Sequence, residues 1–319
     1  MTSQTDSAND IRITRLYDAP VAMVWNAWVD ETQCAQWWGP RGFSITTASK
    51  DVRPGGSWEY VMHGPDGTNW PNFTRYHVVE QHARLVYDHG ASSADAAPMF
   101  RVTATFRAVG GQTELVMIMT LPTPEAAQQT RGFVKAAGGN GTWDRLAEHL
   151  ERQTSAREVF VINRTFEAPI ERVFDAWTMP DQLAQWLPPA GLQMTCPHAD
   201  IRTGGHAVLK MFNDSFAMYA RSDYLDVSRP TRLVYRQSFT TDDGTITRHP
   251  GSPDWPLVML TDVTFTSESP THTRVTLRTS LPEAVTPAEL AAFTAERGGM
   301  TQGWSGSFDV LEAMLAEAH

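Results

Sequence analysis

Apolar and polar residues alternate over residues 11–18 and again over 159–167, a period that predicts β-strands. Each run ends at Ala-Pro (Ala19-Pro20 and Ala168-Pro169), where proline suits the first turn of a helix. Val24, Trp25 and Trp28 then fall on one helical face, as do Val173, Phe174 and Trp177, and a second short helix leads to Trp37 or Trp186. Beyond Pro40, runs at 43–52, 58–63, 73–79, 85–88, 100–108 and 113–121 are rich in β-formers and punctuated by Gly and Pro, which predicts an antiparallel meander. Each half closes on an apolar helical stripe: Trp143, Leu146 and Leu150 in the first, Trp304, Phe308, Leu311 and Leu315 in the second. The fold class expected is α+β.

The same pattern is written twice. Ala19-Pro20, Trp28, Trp37 and Pro40 return as Ala168-Pro169, Trp177, Trp186 and Pro189, a constant register of 149 residues. The motif Asp51-x-Arg53-x-Gly55-Gly56 returns in that register as Asp200-x-Arg202-x-Gly204-Gly205. In a strand Asp and Arg two apart share a face, and a glycine pair permits a bend, so the motif reads as an ion pair beside a sheet bend. The expected division is a disordered tail over residues 1–10, a first domain over 11–152, a linker at "QTSA", and a second domain over 158–319. The copies lose register only where a Gly/Pro-rich loop over 240–256 replaces the shorter "ASSADAAP", and such a loop reads as a lid or a plain insertion.

Composition narrows the partners. A formal net charge of −10 argues against phosphate backbones and anionic membranes, so neither nucleic acid nor membrane is expected. The two cysteines, Cys34 and Cys196, stand alone, which signals neither a disulfide framework nor a metal site. The polar N-terminus has no secretory pattern, so a cytoplasmic location is expected.

Taken together, Ala-Pro opening a helix, "AW", "QWWGP", "DVRPGG", "RLVY" and the terminal amphipathic helix resemble the family of homologues of the activator of the heat-shock-ninety ATPase, within the START-like (SRPBCC) superfamily. The resemblance covers nearly the whole chain, once per half. It implies two tandem helix-grip domains, each a curved antiparallel sheet wrapped around a long C-terminal α-helix. It also implies a cavity between sheet and helix that in many relatives admits an apolar small molecule. A chaperone partner is the other role that it brings to mind, as a stress-response interaction module.

If the sheet face that carries Trp58, Tyr60 and Met62 turns toward the helix, its counterpart carries Ala207, Leu209 and Met211, and the loss of an indole enlarges the second unit. Phe100 on the sixth strand gives way to Met259, followed on that face by Thr261 and Val263. Met117 on the seventh gives way to Leu277, followed by Thr279. The two threonines would add hydroxyls to an apolar lining. Arg221 stands at the position of Phe73, and Tyr224 matches Tyr76; both are candidates to orient a polar group. Glycines cluster beside Trp143 and Trp304, for close packing, for ligand room, or for a turn before the helix. The two units are expected to pair through exposed parts of Trp37, Trp38 and Trp186.

No catalytic motif emerges. "GWSGS" lacks the spacing of a nucleophile elbow, "GGNGTW" lacks the third glycine of a dinucleotide loop, and no histidine pair has metal spacing. No cofactor is expected. His206, His249 and Asp254 are the groups available for acid-base chemistry. The expectation is binding of an apolar or amphipathic small molecule, more so in the second domain, with an enzyme of unknown reaction and a chaperone-associated module as alternatives.

Overall fold

A computed structural model describes residues 7–136, 141–154 and 159–317. It divides into two compact units at Thr154 and Ser155. The stretch "QTSA" runs from the end of a helix into 155–158, and 155–158, the first six residues of the expected tail and the glycines at 138 and 139 lie outside the described residues.

The first unit opens with β1 (Asp10–Tyr17), α1 (Val21–Val29) and α2 (Glu31–Cys34). A meander follows through β2 (Ser44–Lys50), β3 (Ser57–His63), β4 (Asn69–Glu80), β5 (Arg84–Ala91), β6 (Phe100–Val109) and β7 (Gln112–Thr120), before α3 (Pro124–Ala136) and α4 (Gly141–Thr154). The second unit repeats this order as β8 (Val159–Phe166), α5 (Ile170–Thr178), α6 (Pro180–Trp186), β9 (Gln193–Ala199), β10 (His206–Asn213), β11 (Phe216–Ser228) and β12 (Arg232–Thr240). It continues through the short β13 (Ile246–Thr247), β14 (Met259–Ser269), β15 (His272–Ser280), α7 (Pro287–Ala295) and α8 (Arg297–Glu317). The sheets run β1-β7-β6-β5-β4-β3-β2 and β8-β15-β14-β12-β11-β10-β9, with β13 added beside β12, and every strand pairing among the described residues is antiparallel. The penultimate helices α3 and α7 were not expected from the sequence, although Thr286, Pro287 and Glu289 form a capping box with proline at the helix start.

The Ala-Pro corners are pinned alike in the two units. Thr113 Oγ1 donates to the Ala19 carbonyl at 2.7 Å, and Thr273 Oγ1 to the Ala168 carbonyl at 2.8 Å. The tryptophans at the end of α6 and just beyond α2 are latched alike as well: Trp37 Nε1 donates to Ala27 O and Trp186 Nε1 to Ala176 O, both at 2.9 Å. Trp37, Trp38 and Trp186 are all buried in their own cores, so none presents the exposed aromatic surface expected from the sequence. Burying an indole while giving its N–H a carbonyl satisfies both of its natures at once.

The Asp-x-Arg-x-Gly-Gly motif forms the turn between β2 and β3, or β9 and β10, and is not part of a bent strand. Its ion pairs exist, at 2.8 Å for Arg53 with Asp51 and 2.9 Å for Arg202 with Asp200, but they are solvated. The glycines carry the constraint. Gly55 and Gly204 sit at φ +82° and +81°, in the left-handed region. A Cβ on Gly56 or Gly205 would lie 2.2 Å from the carbonyl oxygen of Asp51 or Asp200. In the second unit the turn is tied to the next strand by Gly204 N–H to Tyr224 O and Tyr224 N–H to Gly205 O, both at 2.9 Å. The turn therefore sets the position of Tyr224, next to the register shift between Tyr224 and Asp226.

Gly205→Ala is expected to lower the stability of the full chain by at least about 2 kcal/mol, and Gly204→Ala by about 1–2 kcal/mol from its φ alone. Denaturant unfolding midpoints check the ranking.

Candidate functional site

A cavity of about 470 Å³ opens between the second sheet and its terminal helix. Its floor is the inner face of three adjacent strands: Leu209 and Met211 of β10, Ser222 and Tyr224 of β11, and Leu233, Tyr235, Gln237 and Phe239 of β12. Strand alternation puts these residues on one face. Its roof is α8, through Met300, Gly303, Trp304 and Ser307, spaced to share one helical face. Trp177, Leu183, Leu187 and Pro189 close one wall. The loop between β12 and β14 closes another with His249, Gly251, Ser252 and Trp255.

That loop is held down by one guanidinium. Arg248 Nη1 donates to the Trp255 carbonyl at 2.6 Å and to Glu289 Oε1 of α7 at 2.9 Å. The Thr286 backbone N–H and Arg248 together hold the Glu289 carboxyl below the usual carboxylate range. Trp255 also approaches Phe293 of α7, with ring centroids 6.1 Å apart. The loop thus docks on α7 while its other side faces the cavity.

The first unit shows what fills the matching volume. Register places Trp38 where Leu187 stands, Trp58 at Ala207, Tyr60 at Leu209 and His89 at Gln237. Trp58 stacks on Tyr60 at 4.1 Å and meets Trp38 edge-on at 5.1 Å, and Trp38 Nε1 donates to the Tyr60 hydroxyl at 3.0 Å. Lys50 Nζ sits 4.0 Å from the Trp58 ring centroid and donates to Trp28 O. His89 joins this aromatic cluster and lies 3.1 Å from Thr74 Oγ1. In the first unit these large side chains occupy the matching region, and in the second Leu187, Ala207 and Leu209 stand at three of the four positions.

The family profile described as Activator of Hsp90 ATPase homolog 1-like protein matches residues 18–151 and, a second time, residues 167–316. The chain belongs to this family. No curated protein matches it. Protein NE0264 of Nitrosomonas europaea is similar at 23% identity, covering 47% of this chain and 98% of its own, with a TM-score of 0.43. Protein Ms6760 of Mycobacterium smegmatis is similar at 26% identity over 46% of this chain and 93% of its own, with a TM-score of 0.42. The di-domain ARO/CYC BexL from the BE-7585A biosynthetic pathway covers 97% of this chain and 99% of its own at 16% identity, with a TM-score of 0.39. No helix among the described residues is long and apolar enough to cross a membrane. No group of three or more His, Cys, Asp or Glu among them is arranged to hold a metal.

Within the second Activator of Hsp90 ATPase homolog 1-like unit, the sequence candidates divide. Leu209, Met211, Tyr224 and Trp304 line the cavity. Ala207, Met259, Val263 and Leu277 are buried in the core cluster but outside the lining. Thr261 and Thr279 face inward, yet their hydroxyls lie 3.3 Å apart as cross-strand partners and are spent on each other. Arg221 is a correction: Ser222 and Tyr224 point inward, so alternation sends Arg221 to the opposite face, where it pairs with Asp223. In the first unit Trp58, Tyr60, Tyr76 and Met117 are buried core, with Met62 and Phe100 packed against it. His206 stacks on His198 at 4.3 Å, away from the cavity lining, and Asp254 does not line it either. Leu187, Gln237 and Phe239 were not singled out from the sequence, although the 149 register for Leu187 and the "RLVY" register for the other two expose the substitutions.

Electrostatically the lining is close to neutral. It contains no Lys or Arg, and its one carboxylate, Glu296, is exposed. Burial holds the Tyr224 and Tyr235 phenols well above their ordinary pKa and pushes the His249 imidazole down toward its neutral form. Gly251 N–H donates to His249 Nδ1 at 3.1 Å, which leaves the proton of the neutral ring on Nε2. Gly303 meets open space, since a Cβ there would find no atom within 4 Å beyond its own helix backbone.

Gly303→Ala is therefore expected to raise stability by about 1 kcal/mol, the ordinary helical preference for alanine. A thermal denaturation series checks it, and a fall in the melting temperature would mean the site is packed. In the first unit, burial pushes His89 down to about 4 from an ordinary 6.5. Between those values the unfolded chain binds more protons, so this stability is whole above about pH 6.5 and drains away as pH falls toward 4. The loss expected is on the order of 2 kcal/mol, and His89→Gln, which installs the residue of the second unit, flattens the pH dependence of the unfolding midpoint.

Proposed function

We propose that the protein binds an apolar or amphipathic small molecule in the cavity of its second unit. The observation that carries this reading is the contrast between the units: one scaffold, with the matching space plugged by Trp38, Trp58 and Tyr60 in the first and left as about 470 Å³ in the second. A volume of that size suits a small-molecule site, as does a lining mostly apolar with a few polar groups. Retaining an empty apolar cavity costs stability, and helical glycine at 303 adds to that cost. A space kept against both penalties is explained by occupancy. The loop over 240–256 acts as the gate, because it supplies one wall of the cavity and docks on α7 mainly through Arg248 and Trp255.

One observation favours a second reading in which the bound molecule also reacts. His249 reaches the cavity wall as a neutral imidazole with its tautomer fixed, which is the state in which a histidine can donate from Nε2. Recovery of the bound molecule chemically unchanged after incubation decides for binding alone.

Nile red, a neutral solvatochromic dye, is expected to bind the full chain with a blue-shifted emission. Leu187→Trp, which restores the indole of the first unit, is expected to weaken that binding about tenfold or more while leaving the circular dichroism unchanged, since displacing a packed apolar probe forfeits several buried methylenes. Equal affinity in the variant would remove the cavity as the binding site.

A further inference from the structure

Ser222 and Gln237 are directly opposite each other on paired strands, and so are Tyr224 and Tyr235. All four line the cavity, on the two neighbouring strands β11 and β12. The other surfaces around them, from Leu183 and Leu187 to Met300 and Trp304, are mainly apolar or aromatic. The sheet side of the cavity thus carries one cluster of hydrogen-bonding side chains, while on the other walls polar groups stand singly: His249 and Ser252 on the loop, Ser307 on α8, and the buried indole N–H groups of Trp177 and Trp255.

That cluster is unspent. Among the described residues no hydrogen bond engages the side chains of Ser222, Tyr224 or Gln237. Ser222 is 3% exposed and Tyr224 6%, and both line the cavity. The first unit handles the equivalent positions differently: Thr74 and His89 stand where Ser222 and Gln237 stand, and they bond to each other at 3.1 Å. Where the space is plugged the polar pair closes on itself. Where the space is open the pair has no protein partner, and a molecule that fills the cavity must either bond these groups or leave them unpaired at a cost of about 1–3 kcal/mol each.

The charge balance restricts what that something is. No Lys or Arg lines the cavity to meet an anion, and the exposed Glu296 at its edge repels one. Glu296 would attract a cation only at that exposed edge, and no buried carboxylate lines the cavity to meet one inside. An ion drawn inside would forfeit its hydration without a counter-charge, a penalty of several kcal/mol. We propose that the second unit selects an uncharged molecule with an apolar body and a hydroxyl, carbonyl or amide group, which the Ser222, Gln237 and Tyr224 side chains recognise. This inference rests on the binding reading above and adds to it the ligand's charge and the end by which it is held.

A matched set of probes tests it on the full chain: 2-naphthalenemethanol, 2-methylnaphthalene, 2-naphthoate and 2-naphthalenemethylamine, each in competition with Nile red. The alcohol is expected to bind tightest, with the carboxylate and the amine weaker by about tenfold or more. Ser222→Ala combined with Gln237→Leu is expected to reduce the alcohol's advantage over the hydrocarbon by about two- to tenfold per lost hydrogen bond, with 2-methylnaphthalene, which has no polar group to lose, as the reference and Nile red affinity remeasured for the variant. Binding of 2-naphthoate or the amine as tight as the alcohol overturns the selectivity, and so does an alcohol-to-hydrocarbon ratio that the double variant leaves unchanged. If Nile red and all four probes fail to bind, the binding reading itself falls and this inference falls with it.

Discussion

The first helix of each unit holds the terminal helix through one indole laid on another. Trp28 of α1 stacks on Trp143 of α4 at 5.5 Å with the planes 17° apart, and Trp177 of α5 stacks on Trp304 of α8 at 5.8 Å and 14°. These contacts tie the first helix of a unit to its last, across about 115 residues in one copy and more in the other, so they close the fold around whatever lies between helix and sheet. Large apolar area and a fixed ring geometry make such a pair a strong long-range constraint. Beyond it, the interior volume can change while the frame stays where it is.

The two copies use that freedom in opposite ways. The first spends its volume on a plug of Trp38, Trp58 and Tyr60, linked by one hydrogen bond and backed by Lys50. The second replaces those rings with Leu187, Ala207 and Leu209, and its ring-bearing loop residues His249 and Trp255 stand at the rim of the vacated space. Duplication makes this divergence tolerable, because a plugged copy can keep its stability while the other trades some for an open interior. The Gly-Gly turn remains in both, since the close approach of its second glycine to the Asp carbonyl is a property of the frame and not of the interior.

Most of the frame is legible in the residue pattern alone. The register from Ala19 to Ala168, the Ala-Pro corners and the closing apolar stripes describe two α+β units with antiparallel sheets and terminal helices, and the units have that form. Helix α7 escapes that pattern because it is brief and carries little apolar periodicity, although the capping residues Thr286 and Glu289 mark its start, whereas the 13-residue α3 escapes it despite Pro124 at its first position. The cavity is legible only in part. Periodicity identifies a face but not its depth, so Ala207 and Leu209 look equivalent in sequence, while only Leu209 reaches the opening. Arg221 shows the other limit: an offset counted correctly still lands on the outer face when the neighbour at 222 is the one turned inward.

The sequence by itself determined the order of the strands and of the opening and closing helices, twice over, and where large rings stand opposite small side chains. Those are properties of local period and of residue volume, and both are written along the chain. Only the tertiary structure decided whether the lost volume was refilled, because filling depends on neighbours far away in sequence: Trp304 and Gly303 of α8, the loop carrying His249 and Trp255, and the strand pair of Ser222 and Gln237. It also decided which hydroxyls are committed and which are free, for Thr261 and Thr279 close on each other across two strands while Ser222 and Tyr224 do not. A hydrogen bond needs a partner at about 3 Å, and that distance exists only after the chain has folded.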